Sequence, residues 1–369
     1  MKTLTLAVLA FLGVTLMGGI AFADIKWNWD GGVVTGYDDN VTYAHDDRIS
    51  DMITKTSLGG GLTQQGPNDT FDLNTLLTEN IYTEHSQYDN LAESLNSDYK
   101  VDLGPYEHLN ATEVYTHSVD PSLANGFGRI NGVYGTYYNN LDLESKTDIT
   151  EQWSTTVKYI QTNYLYSLSS LSNTTLYNPE LSTEYDFSSQ SQATLNYDYR
   201  LRSFDPGKSA EANTPSAGWR QYLTPQWYVD LLAGADFING FGEDRVEPRY
   251  AAGLTHDLDQ NTQLTLKYDK QFETDQYTQN ITNDWHLTLN GFHEFTARIS
   301  GDIALFTGQG KYLISEITEK YIGTSISAKY QMNEHWDLVA TYTFEDGASN
   351  SANRSNTQDT VYMGVEFKY

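Results

Sequence analysis

The sequence contains no cysteine, only 8 prolines, and far fewer bases than acids. Without cysteine there is neither a disulfide frame nor a thiolate metal site, which fits an exported bacterial chain held by burial and hydrogen bonds. With 22 Lys and Arg against 49 Asp and Glu, the chain is unsuited to the phosphate backbone of a nucleic acid. Beyond residue 23, no stretch approaches the ~18 uninterrupted apolar residues that would make a membrane-spanning helix. Long Leu/Ile/Val runs are missing as well. Mean hydropathy is −0.53, too low for the two or three packed apolar interiors that a soluble chain of this length would form.

What is present begins with an export signal. Met1-Lys2 is a short basic start, Leu4 to Ile20 is apolar or small, and Ala21-Phe22-Ala23 before Asp24 has the small-x-small form of a cleavage site. Residues 1–23 are therefore expected to be a removed signal peptide, and residues 24–369 a single domain.

The mature chain alternates. Ala193, Leu195, Tyr197, Tyr199 and Leu201 interleave with Thr194, Asn196, Asp198, Arg200 and Arg202. Trp227, Val229, Leu231, Ala233, Ala235 and Phe237 interleave with Tyr228, Asp230, Leu232, Gly234 and Asp236. The same period recurs from Trp336 to Glu345 and through Phe295, Ala297, Ile299, Ile303 and Leu305, with Arg298 and Asp302 on the opposite face. A strand sends successive side chains to opposite faces, so each stretch has one greasy and one wet side. Each is about ten residues long, the length a tilted strand needs to cross a bilayer. The last nine residues repeat the theme, with Val361, Met363, Val365, Phe367 and Tyr369 on the greasy face and Glu366 and Lys368 on the other. In a sandwich that greasy face would meet a second sheet; in an outer-membrane barrel it meets lipid. The export signal, the missing apolar interior and 13% aromatics favour lipid, because a wide barrel has a wet inside and only a thin apolar band, edged by aromatics. A final strand running to an aromatic residue also looks like the insertion signal of such barrels.

Turns set the strand count. Polar turns lead into an aromatic at Thr150-Glu151-Gln152-Trp153, Thr224-Pro225-Gln226-Trp227 and Asn333-Glu334-His335-Trp336. Further breaks fall near Gly66-Pro67, Gly104-Pro105, Ser189–Gln192, Asp259–Thr262 and Gly291–Glu294. Roughly eight periplasmic turns predict an antiparallel all-β transmembrane barrel of about eighteen strands, or sixteen if the first hundred residues register differently. The polar segments Ser86–Ser97, Leu168–Asn178, Asp205–Pro215 and Asp346–Asp359 are expected to be outer loops.

On this parity bases and acids inside the barrel are near balance, and the acidic excess goes to outer loops and strand ends such as Asp38, Asp39, Asp46, Asp47 and Asp51. Cross-strand pairing that stiffens a wet wall accounts for the inner charges. A mixed-charge, tyrosine-lined track for a hydrated sugar polymer accounts for them too. Asp198, Arg200, Arg202, Tyr228, Asp230, Arg298 and Asp302 are the candidate lumen residues, with Tyr228 the candidate for stacking. A pore for strongly anionic solutes would need rings of unpaired bases, so a neutral or mildly charged carbohydrate fits better.

Catalytic and metal signals are weak. The eight histidines show no H-x-x-x-H or H-E-x-x-H spacing. His286 with Asp284 is the nearest approach to a catalytic pair, and a lumen hydrogen bond explains it as well. Tyr37-Asp38-Asp39-Asn40 lacks the full spacing of a calcium loop. No enzyme, cofactor or metal is expected.

Several stretches together carry a resemblance. Gly36-Tyr37-Asp38-Asp39-Asn40 precedes Asp51–Leu62, followed by Phe127-Gly128-Arg129, Tyr197–Asp205 and Gly218–Thr224. This order resembles the outer-membrane β-barrel porins associated with bacterial exopolysaccharide synthesis and export. The resemblance implies an eighteen-stranded conduit in the outer membrane through which a polysaccharide leaves the cell, driven by inner-membrane and periplasmic export machinery. Lipopolysaccharide and the barrel assembly machinery are the other expected partners. The rival expectations are an uptake porin for oligosaccharides and a structural or adhesive barrel without specific cargo, its acidic loops bridged to lipopolysaccharide by divalent cations.

Overall fold

The computed structural model describes residues 25–119, 132–259, 261–274, 280–351 and 354–369. The expected signal segment and Phe127-Gly128-Arg129 lie outside the described residues. The described chain forms one 18-stranded antiparallel sheet that closes on itself. In order the strands are β1 Ile25–Asp38, β2 Asp51–Gln65, β3 Asp69–Tyr82, β4 Asn90–Asp102, β5 Glu107–Ser118 and β6 Thr136–Thr150. Then follow β7 Trp153–Tyr166, β8 Asn173–Ser188, β9 Ser191–Asp205, β10 Ser209–Thr224, β11 Trp227–Gly240 and β12 Glu243–Asp259. The wall is completed by β13 Thr262–Thr274, β14 Ile281–Thr296, β15 Ile299–Tyr312, β16 Thr318–Gln331, β17 Trp336–Ser349 and β18 Asn356–Lys368. Each pairs with its neighbours in sequence, and β1 pairs with both β2 and β18. Closure removes the two free edge strands that an open sheet would have, which is what allows a sheet to sit in lipid.

The closing seam sets Val33 opposite Val365 and Gly36 opposite Tyr362. It continues past β18, where Trp29 and Tyr369 exchange backbone hydrogen bonds at 2.8 and 2.7 Å. Gly36 is needed for space. A Cβ there would collide with the Val361 carbonyl oxygen and the Tyr362 ring, which lies on the lumen side beneath the Lys55 ammonium at 4.4 Å. Gly36→Val should therefore hold the seam open, at a cost of about 2–4 kcal/mol from overpacking against backbone. The measurement is electrophoretic mobility without boiling, where the variant should lose the compact, heat-modifiable form.

Among the described residues, eight turns of two to four residues join the strands at one end, and the longer connections lie at the other, where only the β9–β10 and β11–β12 links are as short. Short turns mark the periplasmic side of such barrels. Many of these turns share a device, a Ser, Thr, Asn or Asp whose side-chain oxygen accepts from the N–H two residues on. Thr150 accepts from Gln152 at 3.2 Å, Thr224 from Gln226 at 3.2 Å, Asp259 from Asn261 at 2.8 Å and Asn333 from His335 at 2.9 Å. The turn expected at Gly291–Glu294 is displaced. Those residues lie inside β14, and Thr296 closes the real turn at Ala297-Arg298 by accepting from Arg298 N at 3.2 Å. Gly291 misleads because it is not a breaker here: it makes room on the outer wall for Leu264 and Ile303, each 3.0 Å from where its Cβ would stand.

The outer loops are shorter than their polarity suggests. Asn90–Ser97 belongs to β4 and Pro215 to β10, and strands run 12 to 17 residues instead of ten. Strands that rise past the bilayer stay paired while their side chains turn polar on both faces. Asp38 and Asp51 lie at strand ends, as expected, but are buried there. Asp38 accepts from Gln358 Nε2 at 2.9 and 3.0 Å, and Asp51 accepts from the backbone N–H groups of Glu84 and His85.

The outer face carries the greasy parity. Leu195 and Met363 are each 61% exposed, and Val361, Leu231 and Ile326 stand beside similar neighbours. Trp27, Trp153, Phe295, Trp336 and Tyr369 gather at the short-turn end. An apolar band edged by aromatics is a lipid-facing surface. The barrel is an outer-membrane barrel, and its buried residues lie on the inside.

Candidate functional site in the lumen

Eighteen strands enclose more space than one layer of side chains fills, so the lumen is an aqueous path unless something crosses it. Something does. β12 begins at Glu243, yet its pairing with β13 stops at Tyr250 opposite Lys270. The last residues of β13 stay paired to β14, which itself stays paired to β15 as far as Thr282 opposite Tyr312, so the hairpin leans inward from a continuous sheet. Those β13 residues pack against β9, β10 and β11. β9 and β13 are four strands apart, about 19 Å along the sheet at ordinary spacing, so their contact requires this displacement.

The contact is a charged knot around Asp236 of β11, which is fully buried. Its carboxylate accepts from Arg200 Nη2 at 3.1 Å, from Thr214 Oγ1 at 2.6 Å and from the Phe272 backbone N–H at 3.1 Å. Arg200 also donates to the Phe272 carbonyl oxygen at 3.3 Å and to Thr214 Oγ1 at 3.1 Å. Asp198 lies 3.4 Å from both Arg200 and Arg249, and Glu273 lies 3.9 Å from Arg200. Beneath the inward segment Ala212, Ile238, Phe272 and Ile281 form an apolar cluster with Phe241 and Leu313. Burial of that cluster drives the segment inward, and the knot satisfies the backbone groups of Phe272 that β12 has abandoned. Charges held this way are costly to break singly, because each would leave a buried partner uncompensated.

The expected lumen residues divide between this neck and the wall below it. Asp198 and Arg200 belong to the neck, and Arg202 is buried nearby on β9. Tyr228 and Asp230 sit nearer the periplasmic end of β11. There Arg220 binds Asp230 at 2.6 Å and lies over the Tyr228 ring at 5.3 Å, so a guanidinium covers one face of the ring expected to stack. Asp302 accepts from Ser327 Oγ at 3.0 Å. Arg298 is brought to neither group; it occupies the exposed β14–β15 turn because the strand ends at Thr296. Asp337 takes both Lys368, at 3.3 Å, and Lys329, at 2.8 Å. Neighbouring strands bring like faces closer than the i, i+2 spacing within one strand. His286 Nδ1 is 2.6 Å from the Tyr321 hydroxyl and its Nε2 is 3.6 Å from Asp284, a hydrogen-bonded group on the lumen wall.

Thr214 and Phe272 were not expected at any site. Nothing local marks them, since Thr214 is one of many inward threonines and Phe272 keeps the parity of a lipid-facing residue.

Comparisons with known proteins agree with this architecture. Residues 247–369 match the model of the family described as "Putative beta-barrel porin 2". OccK2 (OpdF) of Pseudomonas aeruginosa, crystallised with glucuronate, superposes with a TM-score of 0.52 at 11% identity, over 95% of this chain and 100% of that one. OccAB3 of Acinetobacter baumannii gives 0.52 at 9% identity, over 94% and 99% of the two chains. Pseudomonas aeruginosa OpdL gives 0.51 at 10%, over 94% and 99%. The fold is that of an outer-membrane porin. Among curated proteins no match was found.

Proposed function

We propose that this porin-type barrel is a passive channel for carbohydrate, and that uptake of oligosaccharides is its primary use. The observation that carries the reading is the neck. A polymer-export conduit needs a wide bore, whereas here a wall segment folds inward toward β9 and is pinned by buried charge. A narrowed, wet passage passes short hydrated chains and resists wide ones. The inner charges are largely paired, as with Lys158 and Asp142 at 2.7 Å, which favours neutral solutes over strong anions. OccK2, with its bound glucuronate, supports a small sugar-like cargo over a polymer. Export of exopolysaccharide is the second reading, supported by that same charge balance, which suits a neutral polymer. On either reading the chain is a channel whose side chains supply a hydrated wall.

Proteoliposome swelling tests this reading. Vesicles carrying the refolded barrel should swell in isotonic mono- to hexasaccharides at rates that fall with chain length. Longer neutral dextrans should not enter. Equal entry of dextran would favour the export conduit, and no swelling in any sugar would remove both transport readings.

A further inference from the structure

Directly beneath the neck, the lumen wall is hollowed. Gly218 of β10 stands opposite Leu232 of β11, and Leu232 opposite Ala251 of β12. This row has almost no bulk, and Gly253 extends the gap one row down, opposite Asp230. The depression encloses about 380 Å³, enough for part of a bound oligosaccharide.

Its rim has a different chemistry. On one side is the Arg220–Asp230 pair; on the other are Lys267 and Asp269 of β13, with Asn196 of β9 toward the neck. Arg220 and Asp230 use one contact on each other, which leaves guanidinium donors and carboxylate lone pairs for a guest. Lys267 makes no ion pair among the described residues, unlike Arg200, Arg249, Lys158, Lys329 and Lys368. It is a lumen base left with its donors free.

We infer that this depression is a binding subsite for one or two pyranose units of a neutral oligosaccharide. The sugar's C–H face rests on Leu232 and Ala251. Its hydroxyls donate to the carboxylates of Asp230 and Asp269 and accept from the Arg220 guanidinium and the Lys267 ammonium. A floor of small apolar groups with charged groups of both signs on the rim matches a ring that is apolar on its face and both donor and acceptor at its edge. The inference rests on the channel reading and adds to it a place where the cargo pauses.

Single-channel recording with maltohexaose as the probe tests it. The wild-type barrel should show transient blockades of its open current. A Cβ at Gly253 would meet nothing closer than 3.6 Å, so Gly253→Leu fits the wall while filling the hollow. This variant should shorten the blockade about tenfold and lower ion conductance by less than half. Lys267→Met, which adds no bulk, should shorten it about threefold. Blockades unchanged in both variants would overturn the subsite and leave the channel standing, as would an open channel that maltohexaose never blocks. A barrel that folds but never conducts would overturn subsite and channel together.

Discussion

Asp236→Ala should raise single-channel conductance at least twofold while leaving a folded barrel. The substitution removes the acceptor of three hydrogen bonds, from Arg200, from Thr214 and from the Phe272 backbone. It leaves Arg200 buried without its nearest carboxylate, a loss of about 3–5 kcal/mol for breaking a buried pair from one side. The inward end of β13 is held by that carboxylate and by the apolar cluster under Phe272. Without the carboxylate the segment loses its polar anchor, and the passage between β9 and β13 widens. Asp236→Asn keeps an acceptor for one of these groups and should give an intermediate conductance. The readouts are open-channel current in symmetric salt and heat-modifiable mobility, which separates a widened neck from a misfolded wall. Unchanged current in a folded Asp236→Ala barrel would mean that the knot does not set the passage.

The second large effect concerns which face meets lipid. Ile326 is half exposed on the outer wall, between Ile303 and Tyr342. Its neighbour Ser325 faces the lumen, where its hydroxyl is 3.4 Å from Thr343. Ile326→Arg puts a cation into the apolar band at a cost of about 2–4 kcal/mol, whereas Ser325→Arg puts the same cation into water at about 0.5 kcal/mol or less. Urea titrations of the barrel folded in lipid vesicles should separate the two by several kcal/mol. Met363→Arg on the closing strand should behave like Ile326→Arg, because Met363 shares its face. Equal loss from both Ile326 and Ser325 would contradict the assignment of faces.

Much of this architecture is legible in the residues because barrel physics is local. Alternation along β9, β11, β17 and β18 gives the two faces, and an aromatic after a polar turn marks the start of β7, β11 and β17. The terminal stretch from Val361 to Tyr369 pairs with the strand containing Trp27. Where the local signal is ambiguous, the sequence misleads. Gly291 looks like a turn and is a spacer in a strand, and the polar residues before Pro215 look like a loop and are a strand outside the bilayer.

The neck is a different case. Asp236 and Arg200 are visible as inward charges, but their convergence with Phe272 joins residues 36 and 72 positions apart. No period or motif records that β13 abandons β12 after Lys270. The departure is set by the apolar match of Phe272 and Ile281 to Ala212 and Ile238 across the lumen, a long-range packing choice that alternation cannot express. The subsite candidates divide in the same way. Asp230 is found by parity, whereas the hollow depends on three strands presenting Gly218, Leu232 and Ala251 at one height.

The most direct test of the account is planar-bilayer recording of the purified, refolded wild-type barrel. Discrete steps of stable open current are expected, the signature of a continuous wet path past the neck. A barrel that inserts, migrates as the folded form and never conducts would contradict it.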